Sequence, residues 1–95
     1  MRLSDYEKSV IFKAITAEDA NAKVFLFGSR TDNNAKGGDI DLLVLSKHFN
    51  KQKLRAARWR IQEQLGEQKI DIIASADGSE PFVQLIKPTA EELSL

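Results

Sequence analysis

The sequence predicts an α/β (α+β) fold in which amphipathic helices pack on a small β-sheet. Short apolar segments at 24–27, 40–45 and 69–74 have the length and composition of buried strands. Apolar residues recur at helical spacing over 5–17 and 51–65. Because a helix separates the second and third strands, we expect a right-handed crossover that makes them neighbours in one sheet.

The first helix is predicted to begin near Asp5, because Ser4 and Glu7 have the spacing of a capping box. Asn21 is a candidate left-handed end for this helix. Its apolar stripe comprises Tyr6, Val10, Ile11, Ala14, Ile15 and Ala17. The strand that follows ends at Gly28, and a loop is predicted over 31–38.

The second helix places Leu54, Ala57, Ile61 and Leu65 on one side, with Gly66 as its terminator. After the third strand, a helix is predicted with Ser79 as its cap and Pro81 in its first turn. Pro88 is expected to end that helix. The pair Thr89 and Glu92 then predicts a last short helical turn.

Composition limits the class of protein. With 95 residues and 42% hydrophobic content, the chain suits a single domain over 1–95. The 14 basic and 14 acidic residues cancel, which argues against broad nucleic-acid binding. Cysteine is absent, which excludes disulfides and thiolate chemistry. The apolar runs are far shorter than the ~20 residues of a membrane span, and we expect a cytoplasmic protein.

Three aspartates carry the candidate chemistry. Asp39 and Asp41 are predicted to project from one face of a strand while Ile40 points into the core. Close like charges repel, and a shared divalent cation is the usual remedy. Asp71 is predicted to lie in a core strand, where an unpartnered carboxylate would cost several kcal/mol. All three aspartates are therefore candidate catalytic residues and metal ligands.

Gly28, Ser29 and Arg30 are the candidate nucleotide-binding residues. A glycine directly after a strand lets the backbone approach a ligand, and a serine at the start of a turn offers its N–H and hydroxyl to phosphate. An arginine adds a positive charge. A phosphate-binding turn beside three carboxylates indicates nucleotidyl or phosphoryl transfer, with two cations about 3.5–4 Å apart. Asp39 and Asp41 would bind the cation that accompanies the triphosphate, while Asp41 and Asp71 would hold the second cation.

The segment FLFGSRTDNNAKGGDIDLLV resembles the glycine-serine, spacer and D-x-D signature of the DNA polymerase beta-like nucleotidyltransferase superfamily, and is most similar to its minimal nucleotidyltransferases. The resemblance extends through KIDIIA to PFVQLIK. It implies a mixed sheet with helices mainly on one face, Mg²⁺ and ATP as ligands, and catalytic acids at Asp39, Asp41 and Asp71. It also implies an antitoxin that adenylylates a HEPN-type toxin ribonuclease. The loop TDNNAKGG has fewer arginines than is usual in the family, which predicts a weaker contribution to phosphate binding.

A second candidate surface lies on the helix over 51–65. A step of about 100° per residue places Trp59 on its polar side, beside Arg55. Tryptophan and arginine are common at binding hot spots, so the basic helix with Arg55, Arg58 and Trp59 is a candidate surface for an acidic protein partner or a dimer mate. The alternative is that Trp59 folds over the helix edge onto the sheet.

Three classes of function remain open on the sequence. The first is an enzyme that transfers AMP from ATP to a hydroxyl on a partner protein or small molecule. The second is an antitoxin or binding module that neutralises a partner by contact with little or no catalysis. The third is the catalytic subunit of a larger complex, in which another chain supplies the nucleobase and acceptor pockets.

Overall fold

The computed structural model describes residues 3–28, 39–66 and 69–94. The predicted α+β fold is confirmed in these ranges. In chain order the elements are the helix α1 (Asp5–Glu18), the strands β1 (Lys23–Phe27) and β2 (Asp39–Leu45), the helix α2 (Lys51–Leu65), the strand β3 (Lys69–Ser75), the helix α3 (Pro81–Ile86) with a 3-10 turn at Lys87–Thr89, and the strand β4 (Glu91–Leu93). None of the described helices is long and apolar enough to cross a membrane.

The four strands form one mixed sheet in the order β3-β2-β1-β4. β1 runs antiparallel to both of its neighbours, β2 and β4. β2 and β3 are parallel neighbours joined through α2, which confirms that the strands on either side of this helix lie next to each other in one sheet. β3 and β4 are therefore the two edge strands of the sheet.

The two faces of the sheet pack against different helices. On the face that we call the α1–α2 face, the buried residues include Val24, Leu26, Ile40, Leu42, Val44, Ile70 and Leu93 of the sheet, Ile11, Ala14 and Ile15 of α1, and Ala57 and Ile61 of α2. On the opposite face, called the α3 face, Phe25 and Leu43 pack against Val83. The two long helices thus cover one face, as expected, and the short α3 covers part of the other.

The capping box of α1 is confirmed. The Ser4 N–H donates to Glu7 Oε1 at 2.7 Å, and the Glu7 N–H donates to Ser4 Oγ at 3.1 Å. The predicted end at Asn21 is wrong, because the helix ends at Glu18 and Asp19 is already extended. The Asp19 carboxylate accepts a hydrogen bond from the Asn21 N–H at 3.0 Å, and such a local turn competes with helix.

The C-terminal segment differs from the prediction in two ways. Pro81 does begin α3, but the residue before the helix is Glu80 rather than Ser79, since the Ser79 N–H is bound by Asp77 in a turn at 3.0 Å. The predicted last helical turn is also wrong, because this segment forms β4. Pairing with β1 gives its backbone groups hydrogen-bond partners and buries Leu93 opposite Val24, which a surface turn would not do.

Candidate active site

A row of three residues crosses the sheet at the start of β2. Asp41 is in register with Phe27 of β1 on one side and with Asp71 of β3 on the other. Residues in register on neighbouring strands project to the same face, and their Cα atoms lie about 5 Å apart. Leu43, two residues after Asp41, packs on the α3 face, so Asp41 and Asp71 belong to that face too. The fold brings together two of the three aspartates predicted from the sequence.

Gly28 directly follows this row and lies against Asp41. A Cβ built on Gly28 would overlap Asp41 Oδ2 and would lie 3.1 Å from Cγ and 3.3 Å from Cβ of the same side chain. Gly28 also has φ of +78°, in the left-handed region that favours glycine. The role predicted for Gly28 is to let the backbone approach a ligand, and that role stays a prediction. The group that approaches Gly28 in the structure is the Asp41 carboxylate.

Asp41 and Asp71 differ in their exposure. Asp41 is half-buried, whereas Asp71 is exposed. The prediction that Asp71 lies in the core is therefore wrong, and its carboxylate needs no cation to offset burial. The reason is its position, because β3 is an edge strand and the core on the α3 face begins one row further along, at Leu43. Its neighbour Ile70, on the other face, is buried as predicted for the strand.

The remaining predicted site residues can be placed only in part. Asp39 is the first residue of β2 and is in register with Lys69, but its side chain lies outside the described part of the structure. Ser29 and Arg30 lie outside the described residues altogether. The described side chains include no group of three or more acids or histidines placed to hold a metal ion. A third carboxylate beside Asp41 and Asp71 thus remains a prediction for Asp39.

The α3 face is apolar beyond the acidic row. Phe27, Leu45, Ile73 and Ala90 pack around its buried cluster of Phe25, Leu43 and Val83. The Lys87 ammonium lies 5.7 Å from the centre of the Phe25 ring, within the range of a cation–π contact. Aliphatic and aromatic side chains therefore form the apolar part of this face, and the Asp41 and Asp71 carboxylates lie at the end of it where β2 and β3 begin.

Two cavities among the described residues lie away from the carboxylates. One, of about 490 Å³, lies between α1 and α2, and the other, of about 540 Å³, lies where β2 and β3 end. We nevertheless place the candidate active site at the acidic row. The first cavity is lined by one carboxylate, that of Glu63, and the second by none, whereas Asp41 and Asp71 lie side by side in the sheet. The loop predicted over 31–38 lies outside the described residues.

Asp19 and Asp77, which lie outside the acidic row, have lowered pKa values because of hydrogen bonds in turns. The Ser46 hydroxyl donates to the Asp19 carboxylate, and this hydrogen bond lowers the pKa of Asp19. Hydrogen bonds from the side chain and backbone of Ser79 likewise lower the pKa of Asp77. Each carboxylate also accepts a backbone N–H two residues later, so both shifts belong to turns.

The structure decides between the two predictions for Trp59, exposure on the polar side of α2 or packing over the helix edge onto the sheet. Its side chain is 62% exposed, so the alternative in which it folds onto the sheet is wrong. Tyr6, which the helical spacing assigned to the buried stripe, is 61% exposed, and both Tyr6 and Trp59 line the cavity between α1 and α2. Tyr6 lies in the first turn of α1, before the buried residues of that helix begin at Ile11. Helical periodicity gives the side of a helix on which a residue lies, but not whether the core extends as far as that turn.

Comparison with known proteins is consistent with this geometry. Residues 8–92 match the model of a protein family described as Nucleotidyltransferase domain. This range contains α2 and all four strands, together with Gly28, Asp39, Asp41 and Asp71. None of the curated protein sequences matches the chain.

Proposed function

Because the chain belongs to the nucleotidyltransferase domain family, we propose that it transfers AMP from ATP to a hydroxyl group of a partner protein. The observation that carries the proposal is the position of Asp41, which is in register with Asp71 and packed against Gly28. That contact joins a carboxylate pair to the turn proposed to bind phosphate. The proposed setting is the cytoplasm.

The donor set fits Mg²⁺. Carboxylate oxygens are hard ligands of the kind that Mg²⁺ prefers, and Asp41 and Asp71 present them on one face of the sheet. We assign Asp39 and Asp41 to the ion that accompanies the triphosphate, and Asp41 and Asp71 to a second ion. When bound, such a pair of ions would neutralise phosphate charge and lower the pKa of an attacking hydroxyl.

The chain's own groups have distinct proposed roles. Gly28, Ser29 and Arg30 bind the phosphates, through backbone N–H groups, a hydroxyl and a guanidinium. The carboxylate of half-buried Asp41 lies against Gly28, where a residue with a Cβ would leave it no room, so Gly28 is proposed to set the position of this carboxylate. Exposed Asp71 lies on an edge strand, where an acceptor hydroxyl on another protein can reach it. The acceptor is therefore proposed to enter from the β3 edge.

The proposed partner is a HEPN-type toxin ribonuclease, as the resemblance to minimal nucleotidyltransferases implies. A second candidate function is neutralisation of that partner by contact alone. The observation that favours it is the exposed Trp59, which supplies a binding surface on the face of the sheet opposite to the carboxylates. Both functions use the same partner, and they differ in whether Asp41 is needed.

The test uses Mg²⁺, ATP labelled on its α-phosphate, and the protein encoded by the neighbouring gene. We expect label on that protein with the wild-type chain and none with Asp41→Asn. Glu92→Gln is the matched control, because Glu92 is an exposed acid in register with Phe25, one row away from Asp41. Neutralisation that survives Asp41→Asn without transfer of label would reject the enzyme in favour of the binding module.

A further inference from the structure

Two exposed aromatic side chains flank a groove on the outside of the helix layer. Tyr6 of α1 and Trp59 of α2 are 61% and 62% exposed, and both line the cavity of about 490 Å³ between the helices. Val10 and Ala14 supply its apolar lining, and Lys13 and Glu63 lie among its polar residues. A groove with an apolar lining and exposed aromatic side chains is typical of a binding surface.

The groove is held in shape by side chains of both helices. The Tyr6 hydroxyl donates to Gln64 Oε1 at 3.4 Å, and Arg60 Nε lies 3.2 Å from Glu18 Oε2. These contacts tie α1 to α2 near Tyr6 and near Arg60. Less ordering is needed for a ligand to bind a groove that is already formed.

The charge of the helix layer selects the kind of partner. α2 contains five basic residues and one acid, Glu63, and with α1 the layer contains seven basic and four acidic residues, a net charge of +3. The described ion pairs are Lys8–Glu91 and Arg60–Glu18, so neither neutralises Arg55 or Arg58. A second copy docked on the same surface would face this charge with its own. An acidic partner would complement it.

We propose that the groove binds an acidic amphipathic helix of a partner protein. Trp59 and Tyr6 contact its apolar side, while Lys13, which lines the groove, and Arg55, one helical turn before Trp59 on α2, lie beside its carboxylates. A helix is the partner element that fits between two helices with aromatic contacts on either side. This inference gives the partner a docking surface, and it rests on the proposed function only in taking that partner to be a protein.

Trp59 provides the assay, because it is the only tryptophan in the chain. The probes are three synthetic amphipathic helical peptides with the same leucine stripe and no aromatic residues, whose polar positions are all Glu, all Gln or all Lys. We expect the Glu peptide to shift the Trp59 emission to the blue in a saturable way. Its affinity should be at least about 10-fold higher than that of the Gln peptide and should fall as salt is added.

Variants test where the peptide binds. With a labelled Glu peptide followed by anisotropy, Trp59→Ala should weaken binding by about 10-fold or more, as for a hot-spot residue. The control is Leu85→Ala, which removes a 79% exposed side chain from α3 on the other face and should leave the affinity unchanged. Thermal unfolding of both variants should match the wild type, since both side chains are exposed.

Three results would overturn the inference: equal affinity for the three peptides, no saturable binding of the Glu peptide, or equal loss with Trp59→Ala and Leu85→Ala. Dimerisation that is lost in Trp59→Ala, without peptide binding, would assign the groove to a second copy instead. Calorimetry of Mg·ATP on the same samples keeps the two proposals apart. Absence of nucleotide binding by the wild type would count against the transferase, and normal nucleotide binding by Trp59→Ala is expected whether or not the peptide binds.

Discussion

Gly28→Ala tests the contact on which the proposed active site depends. The substitution adds one methyl group to a residue with φ of +78°. A left-handed conformation costs a residue other than glycine about 1–2 kcal/mol. For a domain of this size, that cost lowers Tm by roughly 5–15 °C. The added Cβ would also overlap Asp41 Oδ2, so the carboxylate or the turn must move.

The expected functional loss is larger than the loss of stability suggests. Relief of the overlap requires a displacement of about 1 Å at the carboxylate, and a misplacement of that size can cost about 100-fold in rate. We therefore expect Gly28→Ala to lower transfer of AMP by about 100-fold while the protein remains folded at 25 °C. Calorimetry of Mg·ATP and thermal unfolding, measured on the same samples, separate the two effects.

Gly78→Ala is the matched control. Gly78 also has φ of +78°, so the backbone cost is the same. A Cβ on Gly78 would meet Leu45 and Val83 at 3.6–3.8 Å, which is ordinary van der Waals contact. Gly78→Ala should therefore be destabilised without loss of Mg·ATP binding or transfer. Equal functional losses in the two variants would refute the assignment of Gly28 as the residue that positions Asp41.

Four further results are expected. Asp71→Asn should lower transfer on the order of 100-fold while Mg·ATP affinity, measured by calorimetry, changes only a few-fold, because the contact between Gly28 and Asp41 is intact; parallel losses would contradict this. EDTA should leave the Tm of the nucleotide-free protein nearly unchanged, because Asp71 is exposed and Mg²⁺ is expected to bind mainly together with the triphosphate. Leu93→Ala should destabilise the fold by about 2–4 kcal/mol in denaturant titration, because Leu93 is buried in β4, whereas Leu85→Ala should be neutral. Ser46→Ala should raise the pKa of Asp19 toward its ordinary value of 3.8, as followed by carboxyl ¹³C NMR. A carboxylate whose pKa is lowered on folding stabilises the folded state above its unfolded pKa, and this stabilisation disappears as the carboxylate is protonated in acid. The variant should therefore lose stability at pH 7 and little at pH 2.

Local sequence signals were sufficient for the long elements. α2 runs from Lys51 to Leu65 as its periodicity predicts, with Gly66 at φ of +85° ending it. Asn50 caps its start and Gly66 follows its end, so both signals are adjacent to the helix in the sequence. The start of α1 was predicted correctly for the same reason, because its capping box lies within four consecutive residues. Amphipathic spacing and helix caps depend only on residues that are close together along the chain, so they can be identified from a single sequence.

The errors concern properties that depend on distant parts of the chain. β4 looks like a capped turn, and only the open edge of β1 makes it a strand. Asp71 lies in an apolar run typical of a core strand, but its exposure is decided by the place of β3 at the sheet edge. The contact between Gly28 and Asp41 joins a turn to a strand, and the D-x-D spacing indicates the chemistry without showing that contact.

The two proposed sites lie on opposite faces of one sheet, and this arrangement restricts how a partner could use both. The buried residues Ile40 and Leu42 separate the helix layer from the acidic row, so no path leads through the sheet. The ion pair between Lys8 and Glu91 ties α1 to β4, which leaves α2 on the side of β3. A partner held at Trp59 on α2 therefore reaches the acidic row most directly around the β3 edge. That is the edge where Asp71 is exposed, so the side chain that looked anomalous for a core strand is the one a docked acceptor would meet first.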